Sequence, residues 1–233
     1  MTAPEDRDPP PEIIGGRRVR CTRVHVAPDV VIDVLEAADA DVVIDEAISD
    51  DGDAYAAILW PAAVAAAARL PLLVSPGCTV LDLGAGTGLV ALTAATLGAH
   101  AIAADHDEFA RAVIAASAAR LGLDVSVIDL DVSGDEPLPR ADLVVIADLL
   151  YEPDLARAAA HRALEARAAG MRVLIADPGR FSRTELERVL ARAGVSIEFE
   201  DALVHVPGEA ASGRVGVAVI EPAPESVHPP VRP

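Results

Sequence analysis

The stretch Asp82-Leu83-Gly84-Ala85-Gly86-Thr87-Gly88 constrains the fold of this 233-residue chain more than any other feature. It lies between an apolar run, Val80-Leu-Asp-Leu83, and a helix-forming stretch that begins at Leu89. Glycines at alternate positions let the backbone turn sharply and let a ligand approach to van der Waals contact. The N–H groups at the start of the following helix offer a site for a carboxylate or phosphate. Roughly 20 residues further on, an acidic side chain at the end of the next strand can accept both hydroxyls of a ribose. Ala104-Asp105 stands there.

From Gly77 onward, apolar runs of strand length alternate with Ala- and Arg-rich helical stretches. Strands are expected at Thr79–Leu83, His100–Ala104, Val125–Ile128, Asp142–Ala147 and Arg172–Ala176. Helices are expected at Leu89–Leu97, Glu108–Leu121, Asp154–Ala169 and Arg183–Ala193. Strands apolar on both faces and alternating with helices indicate a parallel sheet covered on both sides. The connection between the third and fourth strands is short and holds Pro137 and Pro139, so one helix should be degenerate there. Only Pro207-Gly-Glu-Ala-Ala-Ser212 separates the last two runs, too short for a crossover helix, so these should pair antiparallel.

The expected fold is therefore α/β: a Rossmann-like, doubly wound, mostly parallel seven-stranded sheet with an antiparallel C-terminal hairpin. Residues 1–20, rich in Pro, Asp and Arg, read as a mobile arm. Residues 21–70 read as accessory strands and a helix, from the runs Arg23-Val-His-Val26, Val30-Val-Ile32 and Val42-Val-Ile44 and from Ala62 to Leu70. The main domain spans 71–222, and 223–233 form a tail.

A net charge of −18 argues against a nucleic-acid backbone as partner, since phosphate binding needs a basic face. A cationic acceptor is easier to reconcile with that field. No apolar run is long enough to span a bilayer, and the acidic, polar start fits neither a secretory signal nor a transit peptide. Cytoplasm is the expected compartment, and the expected assembly is a monomer or weak homodimer. Two cysteines and six histidines show no metal spacing and no arrangement implying a triad. The chain has no Lys, Asn or Gln, so no amide side chain can serve in catalysis. Arg157, Arg162 and Arg167 read as a solvated helix face.

The pattern Asp-x-Gly-x-Gly-x-Gly over Asp82–Gly88, unlike the Gly-x-Gly-x-x-Gly of NAD sites, resembles motif I of the class I S-adenosylmethionine-dependent methyltransferases. The final hairpin also matches that family. The resemblance implies S-adenosylmethionine as cofactor, with Asp82, Gly84, Gly86 and Gly88 forming its loop and Asp105 gripping the ribose. It also implies an acidic residue near the adenine amino group, Asp129, with Asp131 competing.

After the fourth strand, Asp148-Leu-Leu-Tyr151 resembles the (Asp/Glu)-x-x-(Tyr/Phe) signature of the seven-strand protein lysine methyltransferases. Tyr55-Ala-Ala-Ile-Leu-Trp60-Pro61 resembles that group's Trp-Pro segment. Asp177-Pro-Gly-Arg180 is similar to an element of its electron-transfer-flavoprotein β-subunit branch, and the wider group includes nicotinamide N-methylase-like proteins. These matches imply N-methylation of a protein lysine, with Asp148 and Tyr151 catalytic, Trp60 walling the cofactor pocket, and Tyr55 and Arg180 on the substrate. Arg180 pairing with a surface carboxylate is the other reading of that residue. Ala62-Ala63-Val64 and Ala56 depart from the group's pattern on the acceptor side. A small-molecule amine or N-heterocycle methyltransferase, and a non-catalytic binding protein on the same scaffold, are therefore the alternatives.

Overall fold

The computed structural model describes residues 12–39, 57–208 and 211–224. Its first unit is a three-stranded antiparallel sheet of β1 (Glu12–Ile14), β2 (Arg17–Ala27) and β3 (Val30–Ala37). Pairing thus begins inside the stretch read as a mobile arm. Gly15 and Gly16 both have positive φ and turn β1 back onto β2, with Ile14 opposite Arg17. A two-residue turn with both φ values positive matches the twist of paired strands. That local signal outweighs the polar composition around it. The Val42-Val-Ile44 run and Tyr55 lie outside the described residues.

The helix α1 (Pro61–Leu73) follows, started by Pro61, whose missing N–H is one a first turn leaves unbonded anyway. Then come β4 (Thr79–Leu83), α2 (Leu89–Thr96), β5 (His100–Asp105), α3 (Glu108–Leu121) and β6 (Val125–Asp129). No helix separates β6 from β7 (Leu143–Ala147), as the two prolines led one to expect. The chain continues through α4 (Pro153–Ala168), β8 (Arg172–Asp177), α5 (Arg183–Arg192), β9 (Glu200–Val204) and β10 (Gly213–Ile220).

The strand order of the main sheet is β6-β5-β4-β7-β8-β10-β9. The first five are mutually parallel, and β10 is antiparallel to both β8 and β9. The expected seven-stranded architecture is the observed one. Strands β4, β7 and β8 are buried almost throughout, because helices cover both faces. One face packs on α1, α2 and α3 through Leu70, Leu89, Leu92 and Ile114. The other packs on α4 and α5 through Leu81, Leu83, Ile146 and Leu186.

Successive strands from β4 run outward in one direction, and β7 starts the other, so the order reverses between β4 and β7. Open α/β sheets hold ligands outside the carboxyl ends at such a point. The register sets Leu83 level with Ile146 and Ala104, and Ala147 level with Ala176. The glycine loop, Asp105, Asp148 and Asp177 consequently share one edge.

Gly88 shows what packing there requires. Its φ is +75°, and an added Cβ would lie 2.8 Å from Cγ1 of the fully buried Ile114 on α3. Left-handed backbone strain and overpacking act together in Gly88→Ala, which should lose roughly 2–3 kcal/mol of stability. Urea unfolding checks this, and an unchanged midpoint would show that α2 and α3 are not in such close contact.

Candidate active site

The reversal point opens into a cleft of about 540 Å³, including space open to solvent. Trp60, Gly84, Gly86, Asp105, Asp148 and Tyr151 all line it, so the structure brings together six residues chosen from sequence. Asp82, Gly88, Asp129 and Arg180 are not part of that lining.

The three glycines have different physical reasons. A Cβ on Gly84 would meet Leu149 at 2.7 Å, and one on Gly88 would meet Ile114, so both are needed for packing. Gly86, with φ +55°, would meet nothing within 4 Å. It presents bare backbone to open space within the cleft, as an adenosyl ligand lying against the loop requires.

Asp105 ends β5 with its carboxylate facing the loop. Its Oδ2 accepts the Gly86 N–H at 2.8 Å, and Oδ1 accepts the Asp107 N–H at 2.9 Å. Each oxygen has capacity to accept a further hydrogen bond. Burial pushes its pKa up, against those two N–H bonds.

Asp82 lies beneath the cleft. It is 2% exposed, and Oδ2 accepts the N–H of Ala91 in the first turn of α2 at 3.1 Å. Desolvation pushes its pKa up to about 8. Its place suits holding the loop and helix start together rather than touching a ligand directly.

Of the two acidic residues after β6, Asp131 faces the cleft. Asp129 instead pairs with Arg111 at 3.2 Å, its side chain 69% exposed. The Asp131 loop is organised by a residue that sequence reading placed in solvent. Arg162 on α4 is buried, and its guanidinium donates to the carbonyls of Asp131, Val132, Gly134 and Glu136 at 2.7–3.2 Å. Glu165 compensates the charge at 2.9 Å. With no helix between β6 and β7, these carbonyls lack a ladder, and the guanidinium's fan of donors satisfies four of them. The signal for this was a hidden one: Arg162 sits at helical spacing with the buried Ala156, Ala159, Ala163 and Ala166.

Asp148, just beyond β7, has φ +59°, a conformation that Asp tolerates better than most residues. Its N–H bonds to Ala176 of β8. The carboxylate is 4% exposed, and Oδ1 accepts the Nε–H of Arg180 at 2.7 Å. Oδ2 is buried without a hydrogen-bond partner among the described residues. Burial pushes the pKa of Asp148 up, opposed by Arg180 and reinforced by Asp177.

Arg180 thus pairs with a buried carboxylate, not a surface one, and its guanidinium lies 5.5 Å from the Trp60 ring centroid. Asp177 sets the loop that carries it, with Oδ2 accepting from the N–H groups of Gly179 and Arg180 and from Arg183 Nε. Among the described residues, no group of three or more His, Cys, Asp or Glu could hold a metal ion.

Two expectations follow. A carboxyl whose folded-state pKa exceeds its unfolded value of 3.8 stays protonated in the fold while the unfolded chain ionises. Stability should therefore fall as pH rises from about 4 to about 8, by up to about 1.4 kcal/mol per unit for Asp82. Asp82→Asn, neutral throughout, should show a flatter profile in calorimetric Tm between pH 5 and 8; parallel profiles would mean Asp82 is ionised in the fold. Arg162→Met keeps the stem but removes the donors, and it should speed amide exchange across residues 131–136. Unchanged exchange would mean that Arg162 does not hold that loop.

A family profile described as lysine methyltransferase matches residues 39–176. The electron transfer flavoprotein beta subunit lysine methyltransferase of Mus musculus is 37% identical over 135 residues, 55% of this chain and 52% of that protein. Its Rattus norvegicus counterpart is 38% identical over 134 residues, with the same coverage of each chain. This chain spans about half the length of these curated relatives. Among solved structures, the Burkholderia thailandensis 1,6-didemethyltoxoflavin-N1-methyltransferase aligns with a TM-score of 0.55 at 20% identity, over 87% of this chain and all of that one. TrmN from Thermus thermophilus aligns at 0.54 and 24%, over 69% of this chain and 49% of that one. These two likenesses show the fold. The family profile covers more than half of the chain and takes in the glycine loop, whose expected cofactor is S-adenosylmethionine. The chain belongs to the lysine methyltransferase family.

Proposed function

We propose that this chain transfers a methyl group from S-adenosylmethionine to the side-chain amine of a protein lysine. The observation that carries this reading is Asp148. It is a buried carboxylate in the same cleft as the glycine loop, with one oxygen on Arg180 and the other without a hydrogen-bond partner among the described residues. A buried acceptor atom lacking a donor is costly in a fold and points to a ligand that supplies one.

The bound cofactor supplies a methyl group on a sulfonium, open to in-line displacement by a nitrogen lone pair. The protein's own share is alignment, and good alignment can supply roughly 7–11 kcal/mol. Gly84 and Gly86 give the ligand room against the backbone, Asp105 takes the sugar hydroxyls, and Asp131 serves the adenine end. Trp60 and Tyr151 wall the cleft and keep water from the reacting nitrogen.

Asp148 Oδ2 takes an N–H of the amine and directs its lone pair. A free lysine amine, with pKa near 10.4, is neutral in only about one part in a few thousand at pH 7, which costs roughly 4–5 kcal/mol. A lone carboxylate would add to that cost by holding the ammonium form. Arg180 on Oδ1 offsets the carboxylate's charge, so the pair orients the amine with less penalty on its deprotonation.

Asp148→Asn should lower kcat by about 100-fold or more while the Kd for S-adenosylmethionine changes by less than about threefold. Stopped assays with calorimetric titration check this, and an equal loss in both would move Asp148 into the cofactor site. Tritiated S-adenosylmethionine added to a cell lysate tests the acceptor. A labelled protein band supports a protein lysine. Label only in the soluble fraction would replace it with a small-molecule amine, and no label despite binding would remove catalysis.

A further inference from the structure

The accessory sheet reaches the cleft through one buried carboxylate, Glu36, near the end of β3. Its side chain is 4% exposed although it belongs to an edge hairpin. Oε1 accepts from Arg20 Nε at 3.1 Å and from the Thr22 hydroxyl, both on β2. Oε2 accepts the backbone N–H of Leu59 at 3.1 Å, crossing from the accessory sheet to the segment that leads into α1. The next residue, Trp60, is the N-cap of α1 and a wall of the cleft.

Three further observations show that this segment is held rather than merely adjacent. Ala37, beside Glu36, donates its N–H to the Ala57 carbonyl at 2.8 Å. Ala57 is fully buried and has φ +57°, left-handed backbone that a residue with a Cβ adopts only when its surroundings impose it. Leu59 is itself 4% exposed, packed in the core against the α1 face of the main sheet. The stretch from Ala57 to Leu59, just before Trp60, is therefore clamped at both ends, once by a backbone bond and once by Glu36.

We infer that Glu36 is a positioning residue of the cofactor cleft: its carboxylate holds the Leu59 N–H and thereby sets Trp60 against the cleft and beneath Arg180. It lies outside the stretch matched by the family profile, which starts at residue 39. The accessory sheet is on this view part of the binding site rather than an appendage. The inference rests on the cleft being the S-adenosylmethionine site.

Trp60 is the chain's sole tryptophan, so its emission reports this wall directly. In Glu36→Ala the Leu59 N–H loses its acceptor. The Trp60 emission maximum should shift, and the Kd for S-adenosylhomocysteine should rise about tenfold, the equivalent of one buried donor left without a partner. Glu36→Gln, whose amide oxygen can still accept from Leu59, should recover most of the affinity. Asp33→Asn, which disrupts the exposed Arg23–Asp33 pair in the same hairpin, should leave both readouts unchanged.

The deciding measurement is a calorimetric double-mutant cycle. If Glu36 acts through Trp60, Glu36→Ala in a Trp60→Ala background should alter the Kd by less than about twofold. Additive effects, or a folded Glu36→Ala with native emission and affinity, would overturn the inference. Should Glu36→Ala not fold, the Gln variant decides. Native-like emission and affinity then support the inference, and a loss as large as Trp60→Ala overturns it. Wild-type protein that binds no S-adenosylhomocysteine would instead defeat the functional reading beneath it.

Discussion

Burying a carboxylate is costly unless N–H groups or cations compensate it, and the carboxyl edge of this sheet buries four. Asp105, Asp82, Asp148 and Asp177 stand at or near the ends of four adjacent strands, β5, β4, β7 and β8, each no more than 6% exposed. What compensates each one shapes the cleft. Asp82 draws in the first turn of α2, and Asp105 draws in the glycine loop and the start of the next connection. Asp177 gathers the N–H groups of its own loop and the guanidinium of Arg183, so that Arg180 is delivered onto Asp148.

Among the described residues, two buried side-chain oxygens have no hydrogen-bond partner: Asp148 Oδ2 and Asp177 Oδ1. Asp177 is wrapped by its own loop. Asp148 is part of the cleft lining. Holding it there requires a left-handed backbone at a non-glycine residue, and the ladder bond to Ala176 supports that conformation. Strain and an unpartnered acceptor thus coincide at Asp148. In a chain with no Lys, Asn or Gln, Arg supplies these side-chain donors. A guanidinium offers a planar fan of donors to carbonyls and carboxylates alike, as Arg162, Arg180 and Arg183 do.

Much of this was legible beforehand. The alternation of apolar runs and helical stretches, the glycine loop between strand and helix, and the short last connection led to the seven-stranded order and its reversed hairpin. Local pattern suffices there, because burial on both faces and turn geometry are written in neighbouring residues. Legibility failed where two distant stretches meet. Gly15-Gly16 nucleates a hairpin within a stretch of disorder-like composition. Arg162 looks like one more charge on an Ala-rich helix until a helix-less loop is laid over it. Nothing around Glu36 announces a contact with Leu59.

The amino-acid order by itself determined the sheet, the glycine loop and the set of acidic candidates, since these depend on periodicity and on backbone conformations that only particular residues adopt. Tertiary structure alone decided which candidates share a cleft. It set the exposed Asp131 at the cleft and Asp129 away from it, seated Arg180 on Asp148 over Trp60, and buried Asp82 outside the cleft lining. The reason is physical: a side chain's partner, and hence its charge state and availability, is set by what the fold brings within about 3 Å of it, and sequence spacing carries no such distance.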